Sequence, residues 1–256
     1  MKAESPFSRS ELLLGAEALD RLARSRVAVI GLGGVGSAAA EALARAGIGS
    51  LVLVDYDRVE VSNLNRQILA LHSTVGRPKA EVMKERVLDI NPACEVLAIE
   101  ERYDPESAAR ILQPPLSYVV DAIDMVSSKI DLICRCAGAG IPVISSMGAA
   151  EKLDPSRLEL ADLADTRICP LARIMRKELR RRGITSLRVV YSREEAGGGP
   201  GAGPPDDGPA LRPRLRPPHA AGVPVRRPSS PFVPAAAGLL LASALVRDIL
   251  GLDDAR

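Results

Sequence analysis

The chain has 256 residues, 46% of them hydrophobic, so it is long enough to bury a large core as one or two globular domains. Its 34 basic residues nearly balance its 32 acidic residues, which argues against a protein that binds polyanions through its overall charge. Aromatic residues make up only 2% and tryptophan is absent, so few bases could stack on its surface.

Cysteine usage gives no sign of a metal centre. The four cysteines form no C-x-x-C pair, so a zinc site built from four thiolates is not expected. The sequence instead predicts buried, reduced thiols, one of them packed at the start of a helix. The four residues are Cys94, Cys134, Cys136 and, at the helix start, Cys169.

The N-terminal residues lack the apolar run of a signal peptide, which favours a cytoplasmic protein. The longest apolar stretch, residues 233–250, contains Pro234, Arg247 and Asp248 and falls short of the ~20 clean apolar residues of a membrane span. It predicts a buried helix and no stable membrane insertion.

Short apolar runs alternate with amphipathic stretches over the first 150 residues. Helices are predicted up to Ala46, at residues 79–90, at residues 105–112 and up to about Gly138. This alternation predicts an α/β fold with a Rossmann-like, mostly parallel sheet flanked by helices. Strands are predicted at residues 27–31, 51–55, 96–99, 118–123 and 142–145.

The pattern changes after residue 150. Residues 151–195 are predicted to form a smaller α/β extension that completes the domain. It contains a strand near residues 157–163, a helix at residues 170–182 and a strand at residues 187–192.

The last two segments differ sharply in composition. Residues 196–230, which include GGGPGAGPPDDGP, predict a flexible insertion because so much glycine, proline and arginine cannot build a core. Residues 231–256 are predicted to return to the core through a helix at residues 235–250.

A glycine-rich loop follows the first predicted strand. Gly31, Gly33, Gly34 and Gly36 fit the G-x-G-x-x-G fingerprint, in which the backbone approaches phosphates and the helix N-terminus offers free N–H groups. Asp55 ends the second predicted strand 19 residues beyond Gly36, where an acid binds ribose hydroxyls. Nucleotide binding follows, but the loop does not say which nucleotide is bound.

More polar residues than a ribose needs follow the second strand. Residues 54–67 read VDYDRVEVSNLNRQ and add a second acid, Asp57, to the ribose-binding position. Asn63 and Gln67 can orient phosphate oxygens without adding charge, and Arg66 can neutralise them. These residue types favour a nucleoside triphosphate over a nicotinamide dinucleotide.

Cleavage of ATP between its α- and β-phosphates needs cations near the phosphates and a carboxylate that holds Mg²⁺. Arg66 and Lys79 supply the cations, and Asp124 follows the fourth predicted strand at the edge where ligands gather. Together these three expected catalytic residues disfavour a nicotinamide enzyme or a non-catalytic Rossmann module. No residue is indicated as the general base.

The motifs GLGGVGS, LVDYD, SNLNRQ, VGRPKAE, INP and AIDMVSSK resemble those of the E1-like activating enzymes, which adenylate carboxylates. The resemblance covers roughly residues 9–150. It implies that the glycine loop and the first strand-end acid bind ATP, and that Asn63, Arg66, Lys79 and Asp124 bind phosphates and Mg²⁺. Residues 1–150 are thus expected to be the ATP-binding core.

The same resemblance implies a homodimer. In the family, an N-terminal arginine reaches into the ATP site of the partner subunit, and Arg9 in FSRSELLLG matches it.

Members that activate ubiquitin-like sulfur carriers commonly have two C-x-x-C pairs and often a cysteine near the last helix. This chain has neither, since the helix entry reads RPSSPFVPAAAG. Adenylation of such a carrier, in thiamine or molybdopterin biosynthesis, remains the alternative activity. A sulfur-relay protein is left open as a partner.

The phrases FSRSELLLGAEALDRL, YVVDAIDMVSSK, CPLARIMRKELRRRGI and PFVPAAAGLLLASALVRDIL are most similar to those of the tRNA threonylcarbamoyladenosine dehydratases. The resemblance implies that ATP activates the threonyl carboxylate of this modified adenosine. The carbamoyl nitrogen of the same side chain then closes a ring, and AMP and pyrophosphate are released. No enzyme thiol is required.

A tRNA substrate would need a basic surface. Arg173, Arg176, Lys177 and Arg180 fall at i, i+3, i+4 and i+7 of a predicted helix and share one face. That face is either a contact for tRNA phosphates or a solvated charged surface.

Overall fold

The computed structural model describes residues 5–113, 115–195 and 228–253. All but the last three residues of the flexible insertion predicted at residues 196–230 lie outside the described residues. The described part forms one sheet with helices on its faces.

Seven strands form the sheet in the order β3-β2-β1-β4-β5-β7-β6. Five of the pairings are parallel, and only the pairing of β6 with β7 is antiparallel. The predicted α/β fold with a mostly parallel sheet is therefore confirmed. The strands are β1 Arg26–Ile30, β2 Ser50–Val54, β3 Glu95–Ile99, β4 Tyr118–Asp121, β5 Val143–Ser146, β6 Leu158–Asp162 and β7 Arg188–Ser192.

Eight α-helices are present in the described residues, and the first two were not among the predicted elements. The positions of the other helices agree with the apolar periodicity of the sequence. Helix α3 ends at Gly47, which has a positive φ of 90°. The helices are α1 Ser8–Leu14, α2 Ala16–Ala23, α3 Gly34–Ala46, α4 Lys79–Ile90, α5 Ala108–Ile111, α6 Val126–Ala139, α7 Pro170–Arg180 and α8 Phe232–Leu250.

Helix α8 packs against α3 in the main core. A Cβ on Gly238 would lie 2.3 Å from the carbonyl oxygen of Val35, so the two helix backbones approach closely only because residue 238 is glycine. The helix begins at Phe232, earlier than predicted, because Pro234 in the first turn lacks only an N–H that the helix does not need. Its length and hydropathy would allow a membrane span, but half of it is buried inside the protein.

The four cysteines are free thiols, as predicted. Three are buried and Cys134 is half-buried. Burial raises the pKa of Cys94 to about 11 and that of Cys136 to about 12, so neither is a reactive thiolate near neutral pH.

Strand β4 is shorter than predicted, and this difference shapes the site. It ends at Asp121, and residues 122–125 leave the sheet before α6 begins. The carboxyl ends of β1, β2, β4 and β5 therefore open onto one edge, where the register places Ile30 beside Val54 and beside Asp121. Side chains that follow these strands can meet there.

Candidate active site

The glycine loop has two tight positions and one open position. Gly31 has a φ of 89°, and a Cβ there would lie 2.8 Å from the carbonyl oxygen of Ala122. A Cβ on Gly36 would lie 1.8 Å from the carbonyl oxygen of Gly31. By contrast, no atom lies within 4 Å of a Cβ placed on Gly33. The loop is thus packed on its inner side and open where α3 begins, which suits a phosphate.

Gly34 brings two other parts of the site together. A Cβ there would lie 2.9 Å from Cβ of Pro234 and 3.3 Å from the carbonyl oxygen of Arg66. The start of α8 and the SNLNRQ segment thus both pack on the glycine loop.

Asp55 connects the glycine loop to the segment after β2. One carboxylate oxygen accepts the N–H of Leu32 at 2.6 Å, and the other accepts the N–H of Asp57 at 2.8 Å. Burial raises the pKa of this carboxyl, while Lys79 and the two backbone donors act in the opposite direction. Each oxygen has a remaining lone pair, so a ribose hydroxyl could still donate to it, as predicted.

Lys79 is the first residue of α4 and points into the site. Its Nζ lies 2.9 Å from a carboxylate oxygen of Asp57, and its backbone N–H donates to the carbonyl of Asp57 at 3.0 Å. The lysine is buried, whereas the aspartate is half-exposed. Asp57, the second acid after β2, therefore orients the buried ammonium of Lys79.

The SNLNRQ segment is held by its own polar side chains. Asn63 Oδ1 accepts the N–H of Glu60 at 3.1 Å and so caps a short 3-10 helix. Arg66 donates to the carbonyl of Ser62 and to Oδ1 of Asn65, both at 2.9 Å. This bracing limits the directions in which Asn63 and Arg66 could meet a phosphate.

Gln67 carries an unsatisfied polar atom. The residue is 6% exposed, and no described residue donates a hydrogen bond to its buried Oε1. A buried acceptor without a donor costs free energy of about 1–3 kcal/mol. A bound molecule with a donor group would satisfy it, which agrees with the predicted nucleotide contact.

Asp124 lies in the loop after β4 and is exposed. It has no hydrogen bond or ion pair with any other described residue. Tyr56 lies near Asp124. Negative charge on Asp57, and to a smaller extent on Asp124 and Asp55, raises the pKa of the Tyr56 phenol. Arg102 lies over the Tyr56 ring at 5.5 Å from the centroid, a contact that the sequence did not indicate.

A buried ion pair holds the start of the loop that contains Asp124. Lys129 Nζ donates to Asp121 Oδ2 at 2.7 Å, to Ser145 Oγ at 3.1 Å and to the carbonyl of Ser146 at 2.9 Å. Asp121 Oδ1 in turn accepts the N–H of Ile123. The pair joins β4, β5 and α6, so it fixes the start of the loop that presents Asp124.

The donor set at this edge fits Mg²⁺ bound together with a nucleotide. No group of three or more His, Cys, Asp or Glu side chains suited to a metal ion is found in the described residues. Mg²⁺ is often held by one or two carboxylates together with substrate phosphates, and the unpaired Asp124 carboxylate meets that requirement.

The ThiF family model matches residues 7–251. The chain belongs to the ThiF family. Its glycine loop, Lys79 and Asp124 all lie within the matched range, so the site described above is built from the family's own segments.

Three similar proteins refine the comparison. The tRNA threonylcarbamoyladenosine dehydratase of Bacillus subtilis is 44% identical over 95% of this chain and 94% of that protein. The crystal structure of Escherichia coli tRNA N6-threonylcarbamoyladenosine dehydratase in complex with ATP superposes with a TM-score of 0.82, at 34% identity, over 97% of this chain and 95% of that one. The molybdopterin-synthase adenylyltransferase of Salmonella typhimurium is 39% identical over 58% of this chain and 59% of that protein.

Arg9 lies away from the nucleotide site of its own subunit. It is exposed on α1, and the ring of nearby Phe7 lies 3.7 Å from a Cβ placed on Gly47. Gly47 ends α3, whose other end carries the glycine loop, and 13 helical residues span roughly 20 Å. Arg9 therefore lies far from the nucleotide-binding edge within one subunit.

The four basic residues predicted to share one face of α7 differ in the contacts that their side chains make. Three of them, Arg173, Lys177 and Arg180, are exposed, and their side chains make no hydrogen bond or ion pair with a described residue. Arg176 instead donates to the carbonyl of Leu163 at 3.1 Å and to the carbonyl and hydroxyl of Thr166. Its guanidinium holds the turn before α7, and tRNA binding by the four residues stays a prediction.

Proposed function

We propose that this chain uses ATP to activate the threonyl carboxylate of threonylcarbamoyladenosine in tRNA and then closes the side chain into a ring. The carboxylate attacks the α-phosphorus of ATP, and pyrophosphate leaves. The carbamoyl nitrogen then attacks the acyl carbon, and AMP leaves. Water is formally lost from the nucleoside.

One arrangement carries the proposal. The glycine loop, the paired Lys79 and the unpaired Asp124 all occupy the carboxyl edge of the sheet, as an adenylating site requires. The extent of similarity supports the substrate, because the tRNA-modifying relative from Bacillus subtilis aligns over 95% of the chain and the molybdopterin relative over 58%.

The residues would act by position and charge. Lys79, held by Asp57, would stabilise the added negative charge on the α-phosphate, and Arg66 that on the leaving pyrophosphate. Asp55 would hold the ribose, and Asn63 and Gln67 the remaining nucleotide oxygens. Mg²⁺, held by Asp124, would neutralise phosphate charge when bound.

The tRNA would contact α7. Arg173, Lys177 and Arg180 are free to pair with phosphates, and each such contact adds affinity that salt weakens. Basic residues on this helix supply the positive surface that the nearly neutral chain lacks as a whole.

A homodimer is part of the proposal. Arg9 lies close to Phe7, which packs at the end of α3 opposite the glycine loop, and its proposed role is therefore in the site of a second copy. On the same helix, Leu12 is 90% exposed and Leu13 is 82% exposed. A second subunit seated there would cover both leucines and bring Arg9 to its site.

Two further assignments are included. The cytoplasm is the proposed compartment, because tRNA is modified there and the free thiols suit a reducing environment. A sulfur-relay partner stays a prediction, to be tested by whether such a protein binds the purified chain and changes its turnover.

The deciding experiment measures AMP release from ATP and Mg²⁺ with purified tRNA that carries or lacks threonylcarbamoyladenosine. We expect AMP only with the modified tRNA, and mass spectrometry should find the nucleoside lighter by one water. If AMP release depends instead on a carrier protein ending in Gly-Gly, the alternative activity, adenylation of a sulfur carrier, replaces this one.

A further inference from the structure

The protein has six lysines, and three of the five that the structure describes are buried. Two of these have a carboxylate partner, since Lys79 pairs with Asp57 at 2.9 Å and Lys129 with Asp121 at 2.7 Å. Lys152 is 4% exposed, yet no described carboxylate oxygen lies within the 4.0 Å of an ion pair. A buried ammonium without a counter-ion is costly, so such lysines tend to become neutral.

The environment of Lys152 makes its ammonium easier to deprotonate than that of an exposed lysine. Its Nζ donates to the backbone carbonyl of Glu194. The Glu194 carboxylate accepts the N–H groups of Leu153 and Asp154 at 2.9–3.0 Å instead. Burial lowers the pKa of Lys152, and the nearby Cys169, Glu194 and Glu151 only partly oppose that effect.

Hydrogen bonds link the backbone of Lys152 to the segment predicted to bind phosphates. Lys152 follows β5, which neighbours the strand that leads to Asp124. Its carbonyl accepts the hydroxyl of Ser230 at 2.9 Å, and the carbonyl of the adjacent Ser229 accepts Nδ2 of Asn65 at 3.0 Å. Asn65 also accepts from Arg66, so one short hydrogen-bonded path joins the phosphate-binding segment to Lys152.

The backbone around Lys152 is strained. Among the described residues, only Glu151 and Ile168 combine a side chain with positive φ, at 61° and 68°. Glu151 precedes Lys152, and Ile168 precedes Cys169, whose N–H closes a three-residue turn onto Arg167 at 2.7 Å. A β-branched residue at positive φ is an outlier, and such strain concentrates at functional sites.

We propose that Lys152 is the general base of the ring-closing step. This inference rests on the proposed function and concerns only its second half. As the carbamoyl nitrogen forms its bond to the acyl carbon and the bond to AMP breaks, the proton on that nitrogen passes to Nζ of Lys152. The ammonium then loses the proton to solvent before the next turnover.

The test separates the two half-reactions. With wild-type protein, ATP, Mg²⁺ and modified tRNA, we compare the amount of cyclised nucleoside with the amount of AMP. A Lys152→Met variant should still form AMP, because adenylation does not need the base. Its adenylate should mostly hydrolyse back to the starting nucleoside, so cyclised product per AMP should fall by roughly 10²-fold or more.

Two further variants separate base catalysis from charge or packing. Lys152→Arg keeps a cation that does not deprotonate in proteins, so it should show the same loss of coupling. Lys84→Met, on the outer part of α4 and without a hydrogen bond to a described residue, should behave as wild type. If Lys152→Arg or Lys152→Met couples AMP to ring closure as wild type does, Lys152 is not the base.

The wild-type protein supplies a test that does not depend on how the variants fold. The yield of cyclised nucleoside per AMP should rise as the pH is raised over the range in which the protein stays folded, because a lysine with a lowered pKa gains neutral amine in that direction. Coupling that stays flat over this range would overturn the proposal. A wild-type protein that makes no AMP with modified tRNA contradicts the proposed function itself and is told apart by that result.

Discussion

The Nζ atom of Lys79 lies 2.9 Å from a carboxylate oxygen of Asp57, and the lysine side chain is 5% exposed while that of the aspartate is 48% exposed. The buried Lys79 ammonium is therefore paired on its solvent side with Asp57, whose exposed carboxylate can move when a phosphate binds. Lys79→Ala should lower tRNA-dependent AMP release at least ~10²-fold, since a positioned charge at the reacting phosphate is lost. Lys84→Ala on the same helix should leave it unchanged, and equal loss in both variants would contradict a specific role for Lys79.

If Arg9 acts in the site of the partner subunit, subunits with different inactivating substitutions should restore AMP release when they form mixed dimers. Arg9→Ala and Lys79→Ala homodimers should each be nearly inactive. When mixed and allowed to exchange subunits, they should recover about a quarter of wild-type AMP release, because half the dimers are mixed and each has one intact site. No recovery despite proven exchange would show that Arg9 does not serve the partner's site.

Two glycines of the same loop should respond differently to alanine. Gly36→Ala should destabilise the fold strongly, because its Cβ would lie 1.8 Å from a backbone oxygen. Gly33→Ala meets no atom within 4 Å, so the protein should fold normally but bind ATP more weakly, as the methyl group enters the open phosphate space. Thermal unfolding without nucleotide and an ATP titration distinguish these outcomes, and a Gly33→Ala protein with unchanged ATP affinity would place the phosphates elsewhere.

Helix α7 offers a comparison among its own basic residues. Arg173→Ala, Lys177→Ala and Arg180→Ala should each weaken tRNA binding and reduce the slope of log affinity against log salt by about 1. Arg176→Ala should instead lower the unfolding temperature, because it removes hydrogen bonds to Leu163 and Thr166. The interpretation is wrong if Arg24→Ala, a control at an exposed arginine that ends α2, reduces the salt slope equally.

Loss of one partner of the buried Lys129–Asp121 pair should lower the free energy of unfolding more than loss of both partners. Lys129→Met leaves the fully buried Asp121 carboxylate without its cation, which should cost about 3–5 kcal/mol in the free energy of unfolding. Adding Asp121→Asn removes the unpaired charge and should restore part of that loss. Urea unfolding measures both, and a double variant less stable than the sum of the single variants would contradict this account.

Local patterns in the sequence predicted much of the fold. The strands were identifiable as short continuous apolar runs, and the helix over residues 79–90 by apolar residues at helical spacing. Gly31 and Gly36 stand where a strand turns into a helix. The polar residues Lys79 and Asp124 were identifiable because each follows a strand or opens a helix at the carboxyl edge.

Other features depend on contacts between distant segments, which no local pattern contains. Lys152 meets a carbonyl 42 residues away, so its burial could not be foreseen. Arg176 shares its helical face with three exposed basic residues, but the turn at Thr166 captures its guanidinium. Tyr56 and Arg102 meet only after two strands have paired.

The close approach of Gly238 to Val35 links two segments about 200 residues apart in the chain. The helix that presents the glycine loop therefore lacks its main packing partner until α8 has been made. A ribosome adding ~5–20 residues per second would need on the order of ten seconds or more to supply it. A nascent chain should accordingly acquire nucleotide affinity late in synthesis, so incomplete chains would not consume ATP.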